Sequence, residues 1–171
     1  APGFCFLSRL REKGRGRGGA MKIGLISDTH GLLRTEAMAA LAGCDHLLHA
    51  GDIGKPEILD ALRKITPLTA VRGNNDEGLA WASALPERIE LLLGGVGIYL
   101  THQAADVPAH LPDSVRVVVT GHSHKPLIEE RDGRLWINPG SAGPRRFKLP
   151  ISVALLHLEN GAMRAELVAL S

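Results

Sequence analysis

Aromatic side chains are scarce in this 171-residue chain, which holds three phenylalanines, two tryptophans and one tyrosine. Yet residues 121–124 read GHSH, two imidazoles one residue apart, which a turn does not need and a core disfavours. Cysteine is scarcer still: Cys5 and Cys44 show no Cys-x-x-Cys spacing, which excludes a disulfide framework and points to a reducing cytoplasm. No apolar run approaches the roughly 18 residues of a membrane span, and FCFL near the start precedes its basic residues, the reverse of a secretion signal. Charge of neither sign is in excess. The formal net charge is +2, part of it in LREKGRGRGG near the N-terminus, so the body is near neutral and lacks the basic track of a dedicated nucleic-acid binder. Neither stable nucleic-acid binding nor membrane attachment is expected.

What the chain has in quantity is aliphatic: hydrophobic content is 44%, and one domain of this length buries roughly two-thirds of its unfolded surface. The first 20 residues are glycine- and arginine-rich without periodicity and read as a flexible extension, with a basic arm for nucleic acid as the alternative. Residues 21–171 form the expected domain. KIGLIS reads as a strand, TEAMAALAG as a short helix with Thr35 as N-cap and Gly43 as stop, and HLLHA as a second strand. Another helix opens at Pro56 with Ile58, Leu59, Leu62 and Ile65 on one face, followed by PLTAVR. That βαβαβ order predicts a parallel sheet. Beyond residue 85 helices thin out, and Gly94-Gly95, Asp132-Gly133 and Asn160-Gly161 separate apolar runs as hairpin turns do. The expected class is α/β: a two-sheet β-sandwich, one sheet largely parallel, flanked by helices. No internal repeat is evident.

Polar residues fall at the ends of five predicted strands. KIGLIS runs into Asp28-Thr29-His30, HLLHA into Gly51-Asp52, PLTAVR into Gly73-Asn74-Asn75-Asp76, GIYL into Thr101-His102, and VRVVVT into GHSH. Carboxyl ends of strands are where sites form in α/β sheets, because their loops converge on one crevice. The gathered set is Asp28, His30, Asp52, Asn74, His102, His122 and His124. Imidazoles with carboxylate and amide oxygens suit manganese, iron, zinc or nickel, whereas magnesium favours oxygen almost alone. Seven donors exceed one ion's need; with one bridging carboxylate they give four contacts to each of two. Alone, GHSH is a turn and DTH an N-cap; the conjunction carries the argument.

The series DTH, GD, GNND, TH and GHSH, with NPGS at 138–141, resembles the calcineurin-like metallophosphoesterases, most closely the small YfcE-like bacterial and archaeal phosphodiesterases. That resemblance spans about residues 21–170 and implies a four-layer α/β/β/α sandwich. It implies one metal on Asp28, His30, Asp52 and His124 and another on Asp52, Asn74, His102 and His122, with manganese as the first expectation for both, and with Asp52 and the Asn74-Asn75-Asp76 stretch at the reaction centre. Two such ions would generate a bridging hydroxide near neutral pH. Two carboxylates and that hydroxide leave a formal charge of about +1, matching a phosphodiester. The expected activity is phosphodiester hydrolysis on small or nucleotide-like substrates, with a phosphomonoesterase as one alternative. A metal-free protein-binding scaffold, as in the retromer coat subunit of the same fold, is the other; a homo-oligomer is compatible with either.

Departures from the family pattern narrow this expectation. Asn75 stands where many superfamily phosphatases carry histidine and cannot deliver a proton near pH 7, which favours acidic leaving groups. Gln103 stands where glycine is common after the metal histidine. Arg145 and Arg146 are candidates to reach a phosphate oxygen. His49 is expected as a hydrogen-bonded strand histidine near the GD turn, with a role behind the ligands as the alternative. His46, His110 and His157 lack motif support, and Trp81 and Cys44 are expected to pack.

Overall fold

The computed structural model describes residues 19–171; the extension expected over residues 1–20 lies outside the described residues except for its last two. Strands β1 (Met21–Ile26), β2 (His46–His49) and β3 (Leu68–Ala70) are connected by helices α1 (Thr35–Leu41) and α2 (Pro56–Arg63). They pair in parallel. The hairpin of β9 (Ser152–Glu159) and β10 (Ala162–Ala169) joins the other edge of β1 antiparallel, giving the order β10-β9-β1-β2-β3.

The second sheet contains β4 (Arg88–Leu93), β5 (Val96–Thr101), β6 (Val115–Val119), β7 (Leu127–Arg131) and β8 (Arg134–Asn138), ordered β4-β5-β6-β8-β7. Its outer pairs are the hairpins the turn residues predict. Its centre is not: β5-β6 and β6-β8 are parallel, so this sheet is mixed too. The consequence is functional, because β5 and β6 now end on the same side as β1, β2 and β3.

Side-chain alternation sorts the apolar residues into layers. Ile23, Leu25, Leu48, Ile98, Leu100, Val117, Val119, Ile137 and Leu156 meet between the sheets. Ile26, Leu47, Val153 and Leu155 face outward onto Ala37, Leu41, Ile58, Leu59 and Leu62 of the two helices, and Cys44 packs there as expected. Strands β1 and β9 are thus buried on both faces. Helix α1 lies so close that a Cβ on Gly24 would sit 2.6 Å from Leu41 and Leu47. On the far side, Tyr99, Val118 and Trp136 are covered by Val107 and Leu111 of the 103–114 segment. The fourth layer is therefore thin, its regular part a single 3-10 turn, Ala104–Asp106.

Thr35 is the first residue of α1 and not its cap. Arg34 holds the cap position without a side-chain bond, and its Nε donates instead to Gly143 O at 3.2 Å. Gly43, at φ +79°, follows the helix end as predicted. No helix among the described residues is long and apolar enough to cross a membrane.

Candidate metal centre

Five loops leave the C-terminal ends of β1, β2, β3, β5 and β6 and lock together through their backbones. Asp28 N–H donates to Gly51 O at 3.0 Å, His30 N–H to Asp52 O at 3.0 Å, and Gly121 N–H to His102 O at 2.9 Å. Two clusters result, Asp28 with His30 and His124, and Asp52 with His102 and His122, the ligand atoms of each lying within 4.8 Å of one another. Asn74 joins the second: its Oδ1 is 3.1 Å from His102 Nε2 and 3.1 Å from His122 Nδ1. All seven residues gathered from the sequence therefore meet at one place.

The Asp28 carboxylate is fully buried. Its Oδ2 accepts from Ser27 Oγ at 2.6 Å and His122 N–H at 3.1 Å, whereas Oδ1 has no hydrogen-bond partner. Around Oδ1 stand His124 Nε2 at 3.3 Å, His30 Nε2 at 3.8 Å and His102 Nε2 at 4.0 Å. Burial dominates its acidity and, against the bond from Ser27, raises its pKa to about 6. Asp52 is the counterpart. Burial pushes its pKa up, but hydrogen bonds from His102 and the Asn75 amide, with the charges of His102 and His30, bring it down to about 2. Its Oδ2 lies 3.3 Å from His102 Nε2 and 3.8 Å from His30 Nε2, between the clusters.

Burial lowers His124 to about 4, helped by the charges of Arg146 and His30, and lowers His30 despite Asp52. Burial thus favours the neutral imidazole, with its lone pair available, at both positions. Their Nε2 atoms are 3.3 Å apart, as are His102 Nε2 and His122 Nδ1. His102 is raised: burial opposes its charge, but the bond to Asp52 and both carboxylates favour it. A buried, unpartnered carboxylate oxygen ringed by imidazole nitrogens fits a divalent cation.

Close approach explains the glycines in front of Asp52, Asn74 and His122. A Cβ on Gly73 would collide with Asp52, one on Gly121 with Ser27 Oγ and Asp28, and one on Gly51 would sit 2.8 Å from His102 Nδ1. Five of the seven gathered residues adopt a conformation that side chains usually avoid. Asp28, His30, Asp52, His122 and His124 have φ of 53°, 46°, 54°, 67° and 59°, a left-handed region that persists only where surroundings impose it.

Several residues hold the ligands without joining them. His102 Nδ1 donates to Ala50 O at 2.7 Å, turning Nε2 toward the carboxylates. His49 Nδ1 accepts from Gly51 N–H at 3.1 Å, so Nε2 carries the proton and donates to Thr29 Oγ1 at 3.0 Å, which donates to Ile53 O. That strand histidine is thus satisfied, as expected, and also ties the DTH loop to the GD loop. Burial lowers its pKa to about 3.

Asp76 is buried, and its oxygens accept from the amides of Gly73, Ile53 and Gly54 at 2.9 to 3.0 Å. Expected at the reaction centre, it fastens the GD and GNND loops to each other. Asn75 donates to Asp52 from N at 2.9 Å and from Nδ2 at 3.0 Å.

The NPGS stretch supports two loops at once. Asn138 Nδ2 donates to Gly121 O at 2.8 Å, and Ser141 Oγ to Asp28 O at 3.0 Å. The supporting roles of Ser27, Thr29 and Ser141 escaped the sequence reading, although Thr29 and Ser141 lie within DTH and NPGS, since a hydroxyl's contacts carry no spacing signal. Gln103 lines a cleft of about 180 Å³ beside the second cluster, with Arg72, Asn74, Glu87 and Arg88. His157 pairs with Glu166 at 3.0 Å across the β9-β10 hairpin, and His46 bonds Thr69 at 2.9 Å, both away from the centre. His110 is exposed, and Trp81 packs against the helix-side core.

A two-sheet sandwich with this polar cluster at the carboxyl ends of five strands is the architecture of a phosphoesterase class. The pattern of the calcineurin-like phosphoesterase superfamily domain matches residues 21–161, and the chain belongs to that family. It is 30% identical over 161 residues to a probable metallophosphoesterase of Methanothermobacter thermautotrophicus, covering 86% of this chain and 92% of the relative. It is 29% identical over 161 residues to the phosphodiesterase YfcE of Escherichia coli, covering 80% and 87%. The solved structure of that E. coli phosphoesterase superposes with a TM-score of 0.64 at 25% identity, covering 88% of this chain and all of the other. Vps29 of Entamoeba histolytica, complexed with zinc, shares the fold with a TM-score of 0.64 at 24% identity, over 88% of this chain and all of the other.

Proposed function

We propose that this chain hydrolyses phosphodiesters of small or nucleotide-like molecules with two divalent transition-metal ions. Manganese is the first candidate; iron, zinc and nickel also suit the donors. Asp28, His30, Asp52 and His124 would hold one ion, and Asp52, Asn74, His102 and His122 the other. The observation that carries this reading is the buried Asp28 Oδ1, unpartnered and facing three imidazoles, with Asp52 Oδ2 between the two clusters. Bound there, the ions would supply an activated water near neutral pH and positive charge for the phosphoryl oxygens.

The chain's own contribution is placement. Ser27 and the His122 amide orient Asp28, Asn75 orients Asp52, and Ala50 O fixes the His102 tautomer. The cleft of about 180 Å³ beside the second cluster leaves room for one ester substituent. Asn75 offers no titratable proton for the leaving group, so acidic alcohols should leave faster. A cytoplasmic setting belongs to the same reading, supported by the free, buried Cys44 thiol.

The test compares an aryl phosphodiester with an alkyl phosphomonoester on protein refilled with each metal in turn. Faster turnover of the aryl diester is expected; equal or faster alkyl monoester hydrolysis would overturn the diester reading. A protein-binding scaffold is the rival, supported by the fold shared with Vps29. Since that Vps29 is complexed with zinc, metal content does not discriminate, and turnover does. No turnover with any of the four metals favours the scaffold.

A further inference from the structure

One loop at the rim of the centre has features that the ligands and their supports do not use. Residues 142–150 leave and rejoin the fold at the bridge between Ser141 and Ile151, closed by Ser152 N–H donating to Ser141 O at 3.0 Å. The near end is fixed to the centre: Ala142 N–H donates to Ser27 O at 3.0 Å, Ser141 Oγ to Asp28 O at 3.0 Å, and Arg34 Nε to Gly143 O at 3.2 Å. Gly143 lies so tightly on the Asp28 and Thr29 carbonyls that a Cβ there would collide with both. The loop is therefore rooted against the first cluster and cannot swing from that root.

Its outer part is Arg145-Arg146-Phe147-Lys148, all exposed. Arg146 follows three residues after Gly143, which rests on the Asp28 and Thr29 carbonyls, so this stretch starts from the Asp28 side of the centre, in keeping with the action of the Arg146 charge on His30 and His124. Phe147 is 91% exposed and holds φ at +53°, a conformation that a bulky side chain rarely adopts. A lone exposed apolar residue is ordinary. An unpacked ring in a left-handed turn, set among three cations at the edge of an anion site, is a different case, because an arriving ligand can supply both the ring's partner and the counter-charge. Across the centre, the cleft beside the second cluster is lined mostly by charged and polar side chains, among them Arg72, Glu77, Glu87, Arg88, Gln103 and Asp106.

We propose that Arg146 and Phe147 form a substrate arm: Arg146 pairs with a non-bridging phosphate oxygen, and Phe147 stacks on a planar ring carried by the retained half of the diester. The preferred substrates are then diesters of nucleotide or aryl type, and Phe147 determines that preference without touching the reacting atoms. The proposal rests on the hydrolase reading above.

Two esters sharing one leaving group isolate the effect: thymidine p-nitrophenyl phosphate and methyl p-nitrophenyl phosphate, each with the full chain loaded with manganese, iron, zinc or nickel. Wild type should favour the thymidine ester. In F147A the ratio of kcat/KM between the two esters should fall by about tenfold, the scale of one lost stacking contact. F147W should restore the ratio, and R146A should raise KM for both esters. An unchanged ratio in F147A overturns the arm and leaves the hydrolase reading standing. Failure of wild type to turn over either ester with any of the metals overturns both. A change of molar mass in F147A by light scattering would assign Phe147 to a contact between copies of the chain and also overturns the arm.

Discussion

The two ends of the sandwich use the same unusual backbone conformation for opposite reasons. At the end away from the centre, the turns of β4-β5, β7-β8 and β9-β10 pass through Gly94-Gly95, Asp132-Gly133 and Asn160-Gly161, all with positive φ. Each turn is local: the paired strands demand a primed turn, and glycine, asparagine and aspartate supply it cheaply. At the other end Asp28, His30, Asp52, His122 and His124 are also left-handed, but no adjacent hairpin requires it. Bonds from other loops hold them: Gly51 and Asp52 carbonyls on Asp28 and His30, Asn75 on Asp52, and the Asp28 carboxylate on the His122 amide. Turn residues carry their conformation in their own chemistry; the clustered residues borrow it from the fold.

That contrast is open to direct attack, first at the ligands. Asp52→Asn, which keeps the shape and removes the charge, should lower turnover by more than about a hundredfold, beyond the loss typical of residues behind a ligand set. Asn160→Gly at the other end should change thermal stability by no more than about 0.5 kcal/mol and leave turnover alone. Comparable effects from the two would erase the distinction.

A second test exposes what the ligand end costs the metal-free fold. The Asp28 pKa, raised to about 6 from 3.8, means the folded apo-protein holds its proton more tightly than the unfolded chain. Stability from this group is full below about pH 4 and declines as pH rises through about 6. Asp28→Asn should therefore stabilise the apo-protein at pH 7.5 by up to about 3 kcal/mol, read as the shift of its denaturation midpoint, while metal binding is lost. The gain should vanish below about pH 4; an apo-variant less stable than wild type at pH 7.5 would refute the account.

The smallest effect separates crowding from turn chemistry. Gly73→Ala drives a methyl group into Asp52 and Gly161→Ala meets nothing within 4 Å, although Gly161 sits at φ +78°. The first should destabilise by about 1–3 kcal/mol and reduce metal content. The second should cost about 1 kcal/mol and leave metal content unchanged, as circular dichroism melts and elemental analysis would show.

Much of this was legible beforehand because the signals are local. Periodicity marked β1, α1, β2, α2 and β3, and two-residue turns marked the three hairpins, since each depends on neighbours in the chain. The five polar strand ends were legible for the same reason: a strand that stops in Asp28 or His102 announces a loop with chemistry. Three features were not. The parallel pairing of β5, β6 and β8 depends on how two crossovers pack. Asp76 was expected at the reaction centre, and the composition of GNND does not reveal that its carboxylate accepts from the Gly73 amide of its own loop and from the Ile53 and Gly54 amides of the GD loop. The positioning roles of Ser27, Thr29 and Ser141 gave no signal, because a residue that positions another is defined by contact and not by spacing.

By itself, the sequence determined which side chains are available and where the strands and turns fall, because apolar alternation and turn preference act over a few residues. Tertiary structure alone decided that Asp28 is buried with one bare oxygen, that Asp52 lies between two histidine clusters, and that Phe147 stands out in water on a loop rooted at Asp28. Those properties are distances between residues far apart in the chain, fixed when the two sheets close on one another and the loops at one end have nowhere else to go.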